Sequence, residues 1–293
     1  MKHILVPTDF SDCAHAATTT AAEIAKQTGS EIYLLHSFIT SLDWDRIPKD
    51  KEANYPEVLK DINKAKNQLN QIAESDTFKG IKTHVVFKFN YHANEIIQYS
   101  SDNKIDLIAM GSHGTTGIHE LFIGSNTQKV VRQSPIPVLV IKQGQSISKM
   151  KNVILASTFK GYPDELVNKL IDFLGIFNPV IHLLTIITPE KFKHSLDYQE
   201  RMKKVKQNHA SKTLTVNTYN AYSVEEGVLE YASYLDADLI AIGTHGSSAA
   251  KQLIRSSLAE SIVNHSNIPV LSINFNVALT QQKKTMQKKE LTN

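Results

Sequence analysis

This sequence repeats itself at a fixed distance, and that repeat narrows the possible folds more than any other feature. Ile105–Gly114 reads IDLIAMGSHG and Ala237–Gly246 reads ADLIAIGTHG, while Ser134–Ile141 reads SPIPVLVI and Ser266–Ile273 reads SNIPVLSI; both pairs lie 132 residues apart. Nearer the start of each copy, HILVPTDF at His3–Phe10 aligns with NVILASTF at Asn152–Phe159, at an offset of 149. The first copy therefore holds 17 extra residues between these landmarks, and the polar stretch Leu42–Glu57, with its Trp and prolines, is the evident insertion. A chain of 293 residues accommodates two α/β units of about 140 residues each. The expected division is 1–143 and 150–276, joined by the Gln-, Ser- and Gly-containing segment Gln143–Met150 and followed by a disordered basic tail, 277–293.

Each copy alternates strand and helix patterns. In the first, Ile4–Pro7 reads as a short strand, and Ser11 can cap a helix carrying Ala14, Ala17, Ala21, Ile24 and Ala25 on one side and ending at Gly29. Strands follow at Glu31–His36, Thr83–Phe89, Asp106–Met110 and Pro137–Ile141, with helices at Pro56–Ala73, Ala93–Ser101 and Ser125–Gln133. The second copy repeats the order: strands Val153–Ala156, Val180–Ile186, Leu214–Tyr219, Leu239–Gly243 and Pro269–Phe275, with helices Pro163–Leu174, Pro189–Gln207, Val224–Leu235 and Ser257–His265. Continuous apolar strands between amphipathic helices indicate a parallel sheet covered on both faces. The expected fold is α/β, with two tandem doubly wound domains, each a five-stranded parallel sheet.

Composition excludes several classes. The longest apolar runs, such as Pro137–Ile141, fall far short of the roughly 18 residues that suggest a membrane span. Pro7 and Asp9 interrupt the first apolar run, unlike a secretory signal. Cys13 is the single cysteine, so no internal disulfide is needed, and the cytoplasm is the expected compartment. The net charge of +3 sits in the tail: Lys283, Lys284, Lys288 and Lys289 against Glu290 already give +3, leaving a neutral body without the basic face of a nucleic-acid binder. The twelve histidines are scattered and show no H-x3-H, HExxH or CxxC spacing, so no metal site is expected. Cys13 reads as a small packed residue beside Ala14 and Ala17, and no Ser–His–Asp grouping is legible.

The chemistry concentrates at two strand ends. Open parallel sheets bind ligands beyond the carboxyl ends of their strands, where the winding reverses. The first strand ends in Pro7-Thr8-Asp9, and the fourth runs into GSHGTTGIHELFIGSN, Gly111 to Asn126. Four of the chain's 12 glycines, Gly111, Gly114, Gly117 and Gly124, fall within 14 residues there. Such density allows backbone amides close to a ligand. Gly124-Ser125-Asn126 then opens a helix, whose free N–H groups and dipole favour an anion. Phosphate suits that arrangement; a surface loop that binds nothing is the alternative.

PTDFS near the start, with GSHG, nine residues and GSN, resembles the universal stress protein family. Its ATP-binding members carry G-x-x-G-x9-G-[ST], which Gly111, Gly114, Gly124 and Ser125 fit without a gap. The resemblance spans nearly all of both halves and implies an adenine nucleotide alpha hydrolase-like fold with a site for ATP or another adenine nucleotide, Mg²⁺ accompanying the phosphates. It assigns Asp9 to the adenosine end, bordered by Pro7, and Gly111, His113, Gly114, Gly124, Ser125 and Asn126 to the ribose and phosphates, with Thr8 and Met110 counted among the binding residues. Two departures stand out. His113 lies where many nucleotide-binding members have arginine, and Ser37 where an apolar residue often packs on adenine. The resemblance further implies dimerisation through the fifth strand; here Pro137–Ile141 and Pro269–Phe275 can pair within one molecule as a pseudo-dimer, with a further homodimer left open.

In the second copy Thr158 replaces Asp9, Ala156 replaces Pro7, and the nine-residue spacer ends at Ser256-Ser257 instead of Gly-Ser. That motif is expected to be degenerate. Related adenine-binding enzymes carry S-G-G-x-D-S or H-x-G-H, and neither is present. The reading is thus a nucleotide-binding regulatory protein with an unidentified protein partner. A slow ATPase and an interaction module without nucleotide remain alternatives.

Overall fold

The computed structural model describes residues 1–112, 123–142, 144–147, 149–159, 164–244 and 252–274. His113, Gly114, Gly117, His245, Gly246 and the tail from residue 275 lie outside them. The first half contains β1 (His3–Thr8), α1 (Asp12–Thr28), β2 (Glu31–Phe38), α2 (Pro56–Ala73), β3 (Thr83–Phe89), α3 (Ala93–Asp102), β4 (Leu107–Gly111), α4 (Ser125–Gln133) and β5 (Val138–Ile141). The second contains β6 (Asn152–Ala156), α5 (Asp164–Leu174), β7 (Val180–Ile187), α6 (Ser195–Asn208), β8 (Leu214–Asn220), α7 (Val224–Leu235), β9 (Leu239–Thr244), α8 (Gln252–His265) and β10 (Val270–Asn274).

The strands form one ten-stranded sheet in the order β3-β2-β1-β4-β5-β10-β9-β6-β7-β8. Each half is parallel throughout, and the halves join where β5 and β10 pair antiparallel, Leu139 opposite Leu271. Two exposed edges are thereby removed within one chain. Two apolar layers fill the faces of this sheet. One packs Val6, Ala17, Ala21 and Ile24 with Leu155, Ile171 and Met202, and the other packs Leu5, Leu35, Ile96 and Val130 with Ile154, Val228 and Ile262.

Local chemistry sets these elements. Ser11 Oγ accepts the Ala14 N–H at 3.2 Å, and Gly29, at φ 71°, donates back to the Ala25 carbonyl and ends α1. The buried face of α1 is largely alanine, so the helix lies close on the sheet. Asp106 and Asp238 bridge neighbouring strands. Asp106 Oδ2 accepts the N–H groups of Lys2 and His3 at 2.6 and 3.1 Å, and Asp238 Oδ2 those of Lys151 and Asn152 at 2.7 and 2.9 Å. The same carboxylate thus ties the start of the fourth strand to the start of the first in both halves.

Two expectations are revised, and the insertion takes a definite form. Pro189–Gln207 is broken into a 3-10 turn, Pro189–His194, and α6. The last helix begins at Gln252, ahead of the expected Ser257, because nothing in QLIRSS stops a helix from extending backwards. The insertion Leu42–Glu57 forms two 3-10 turns pinned by Trp44, which is buried against Tyr55 and Phe89. Phe89 and Phe38 share a sheet face with His36, whereas Leu35 and Ser37 point to the opposite one.

Candidate functional site

In the order 3-2-1-4-5 the winding reverses between β1 and β4, and a cleft of about 320 Å³ opens beyond their carboxyl ends. Its lining includes Pro7, Thr8, Asp9, Ser37, Met110, Gly111, Gly124, Ser125 and Asn126. The remaining two expected residues, His113 and Gly114, fall outside the described residues. No residue of the Leu42–Glu57 insertion lines this cleft.

The β1–α1 turn is built from its own side chains. Asp9 Oδ1 accepts the Ser11 N–H at 3.1 Å, and Thr8 Oγ1 accepts the Phe10 N–H at 3.2 Å. Phe10 adopts φ 67°, a left-handed conformation that costs a bulky residue roughly 1–2 kcal/mol. Its ring stacks on His36 with centroids 4.3 Å apart, and His36 Nδ1–H donates to the Thr8 carbonyl at 2.8 Å. Burial holds the His36 pKa below 6.5, against the raising effects of that hydrogen bond and of Asp9. A neutral imidazole therefore supports the turn that presents Asp9.

Across the cleft stands α4. Gly124 is its N-cap, with φ −61° and ψ 144°, and gives no side-chain cap; the first turn carries no acidic residue. By contrast α1 has the Ser11 cap and Asp12, and α7 has the Ser223 cap with Glu225 and Glu226. The N–H groups of a helix's first turn have no intrahelical acceptor, so α4 offers the cleft donors and a positive dipole end. Its position is fixed: Thr127 Oγ1 donates to the Gly111 carbonyl at 2.9 Å, and the Gly124 N–H donates to the Ser112 carbonyl at 2.8 Å.

Gly111 itself turns out to serve packing. A Cβ there would lie 2.7 Å from Ala14 N and from the Cys13 carbonyl carbon, both α1 backbone atoms. Its missing side chain brings α1 against β4; close approach to a ligand is not what that position demands. Cys13 accordingly sits half-buried, accepting from Ser112 Oγ at 3.7 Å.

Several lining residues escaped the sequence reading: Ala14, Leu35, Ile39, Tyr91, Ile96 and Thr127. Leu35, Ile39 and Ile96 supply the apolar surface that Ser37 lacks. Ser37 Oγ instead accepts the Tyr91 N–H at 2.7 Å, holding the β3–α3 loop at the rim. Tyr91 and Ile96 reach the cleft through strand order, for which local sequence carries no signal. Ile39, apolar yet 59% exposed just past β2, is the one a sequence could have flagged.

Among the described residues the second half keeps the turn and differs in what faces it. Phe159 repeats the left-handed turn at φ 52°, with Ser157 Oγ accepting its N–H at 3.1 Å. Ile186 stands where Ser37 does, and Gly227 where Ile96 does. A Cβ on Gly227 would meet Ile186 Cγ2 at 2.8 Å, so the large side chain has moved from the helix to the strand and occupies the space between them. Ser256 and Ser257, equivalent to Gly124 and Ser125, lie inside α8, where helical bonding consumes their N–H groups.

The family model described as "Universal stress protein family" matches the chain twice, over residues 1–142 and 149–274. Two universal stress proteins of Methanocaldococcus jannaschii are similar. One is 30% identical over 150 residues, 48% of this chain and 82% of that protein. The other is 31% identical over 157 residues, 50% of this chain and 97% of that protein. The crystal structure of a universal stress protein from Archaeoglobus fulgidus shares the two-half fold at a TM-score of 0.72 and 20% identity, covering 93% of this chain and 98% of that one. Among the described residues no helix is long and apolar enough to cross a membrane.

Proposed function

The chain belongs to the universal stress protein family, and we propose that within it this protein is a nucleotide-binding regulator that holds an ATP-type nucleotide in its first domain. The observation that carries this reading is the uncapped N-terminus of α4 opening onto the cleft at the β1/β4 reversal. Phosphates would accept from the first-turn N–H groups and the Ser125 hydroxyl, and the family motif assigns His113 and Gly114 to the same group. The adenosine would lie toward Asp9 and Pro7, with Leu35, Ile39 and Ile96 offering apolar contact. Among the described lining residues Asp9 is the one carboxylate, so Mg²⁺ would ride mainly on the phosphates. Binding of this kind uses backbone donors and a dipole and needs no general base, which favours regulation by occupancy over turnover. Cytoplasmic residence and a partner protein that reads the occupied loop complete the proposal.

The test is calorimetric titration of ATP with Mg²⁺ into the full chain and into Gly124→Val. One site per chain that vanishes in the variant is the expected result. Absence of binding by the unmodified chain would overturn the nucleotide reading in favour of an interaction module. Phosphate release that Asp9→Ala abolishes would move it to a slow ATPase.

A further inference from the structure

The seam between the halves runs past β5 and β10 to the chain entering α4. Two successive N–H groups there are anchored differently. Gly124 donates within its own half, to the Ser112 carbonyl, whereas Ile123 donates across the seam to Asn264 Oδ1 at 2.9 Å. Asn264 lies in the last turn of α8 and is itself held, because Lys142 Nζ donates to its backbone carbonyl at 3.1 Å and to that of Ser266. The same two helices are locked one turn away. Gln128 Nε2 donates to Glu260 Oε2 at 2.8 Å, and Arg132 forks onto Glu260 through Nε and Nη2. Glu260 is 6% exposed, so this carboxylate depends on those donors.

The repeat shows that equivalent positions hold different groups across the seam. At the 132-residue offset Gln128 corresponds to Glu260 and Arg132 to Asn264. A symmetric pairing would set each helix on the other identically. Instead Arg132 turns to Glu260, while Asn264 takes the backbone of the opposite half. The side chain that takes the Ile123 N–H thus comes from the half whose own motif ends in Ser256-Ser257.

We propose that Asn264 is a positioning residue for the first domain's site: the second domain holds the backbone immediately before Gly124 and so sets where the α4 donors point. This rests on the nucleotide reading above. It makes the degenerate half a working part of the site, and by linkage a bound nucleotide strengthens the seam by the same factor that the seam strengthens binding.

The test compares Asn264→Leu with Asn264→Asp in the full chain. Leucine keeps the helix and removes the acceptor; aspartate keeps the acceptor. ATP with Mg²⁺ is titrated into each, amide exchange is followed at residues 123–126 without ligand, and urea unfolding is read from Trp44. The expected result is a roughly three- to tenfold weaker Kd for Asn264→Leu, one hydrogen bond's worth, with faster exchange at 123–126 and an unchanged Trp44 midpoint. Asn264→Asp should stay within about twofold of the unmodified chain, well short of one bond's worth. Equal affinity for Asn264→Leu overturns the positioning role while leaving the nucleotide reading intact. Weakening that aspartate does not rescue, or that comes with a lowered Trp44 midpoint, shows a merely structural role and overturns it too. No binding by the unmodified chain overturns both.

Discussion

Replacing Gly111 by alanine separates two roles that the motif position would otherwise blur. The added Cβ would sit 2.7 Å from Ala14 N and from the Cys13 carbonyl carbon. Comfortable contacts lie near 3.5 Å or beyond, so α1 and β4 must part by roughly 0.8 Å. Neither side yields easily, since Ala14, Ala17 and Ala21 on α1 and Ile108 and Ala109 on β4 are all buried. Overpacking of this kind costs about 1–3 kcal/mol. Removing a glycine from the unfolded chain returns about 0.4–1 kcal/mol, leaving a net destabilisation of about 1–2 kcal/mol. Trp44 is the only tryptophan, lies in the first half and is buried, so its fluorescence follows unfolding of that half. With a urea m-value of about 1–3 kcal/mol/M, the midpoint should fall by roughly 0.3–2 M. Gly29→Ala is the companion: nothing lies within 4 Å of its Cβ and φ is 71°, so it should cost about 1 kcal/mol through backbone strain and leave ATP binding unchanged. An unchanged midpoint for Gly111→Ala, with binding lost, would refute the packing argument and return Gly111 to a ligand-approach role.

Other consequences follow from the same structure. Burial depresses the pKa of both His36 and His182, so their stabilising effect is complete above 6.5, their ordinary value, and declines as pH falls toward the folded-state values. Urea midpoints should therefore drop on acidification below pH 6.5, and His36→Gln should lower the proton uptake on unfolding by up to one; an unaltered pH profile would contradict this. Ser37→Ile copies Ile186, fills the cleft and removes the acceptor of the Tyr91 N–H, and should weaken ATP by about tenfold or more in calorimetry. Asp238→Ala strands the N–H groups of Lys151 and Asn152 and should destabilise the second half by about 1–3 kcal/mol, seen as faster amide exchange along β6 while the Trp44 transition stays in place.

The amino-acid sequence by itself determined the duplication, the strand–helix alternation and the place of the cleft, because each is written locally. Repeats, apolar runs, the Ser11 cap and Gly29, and the glycine spacing after β4 are all properties of neighbouring residues. Nine of the eleven residues that the family resemblance assigned line the cleft. What only the tertiary structure decided depends on residues far apart in the chain. Gly111 is constrained by the backbone of α1 about a hundred positions earlier, and Tyr91 and Ile96 reach the cleft through strand order. The exchange of Ser37 and Ile96 for Ile186 and Gly227 becomes visible once strand and helix are seen to share one volume. The hold of Asn264 on Ile123 spans 141 residues and exists because β5 and β10 meet. Hydrogen bonds and van der Waals contacts act over a few ångströms of space, and chain separation carries no record of them until the sheet brings the two halves together.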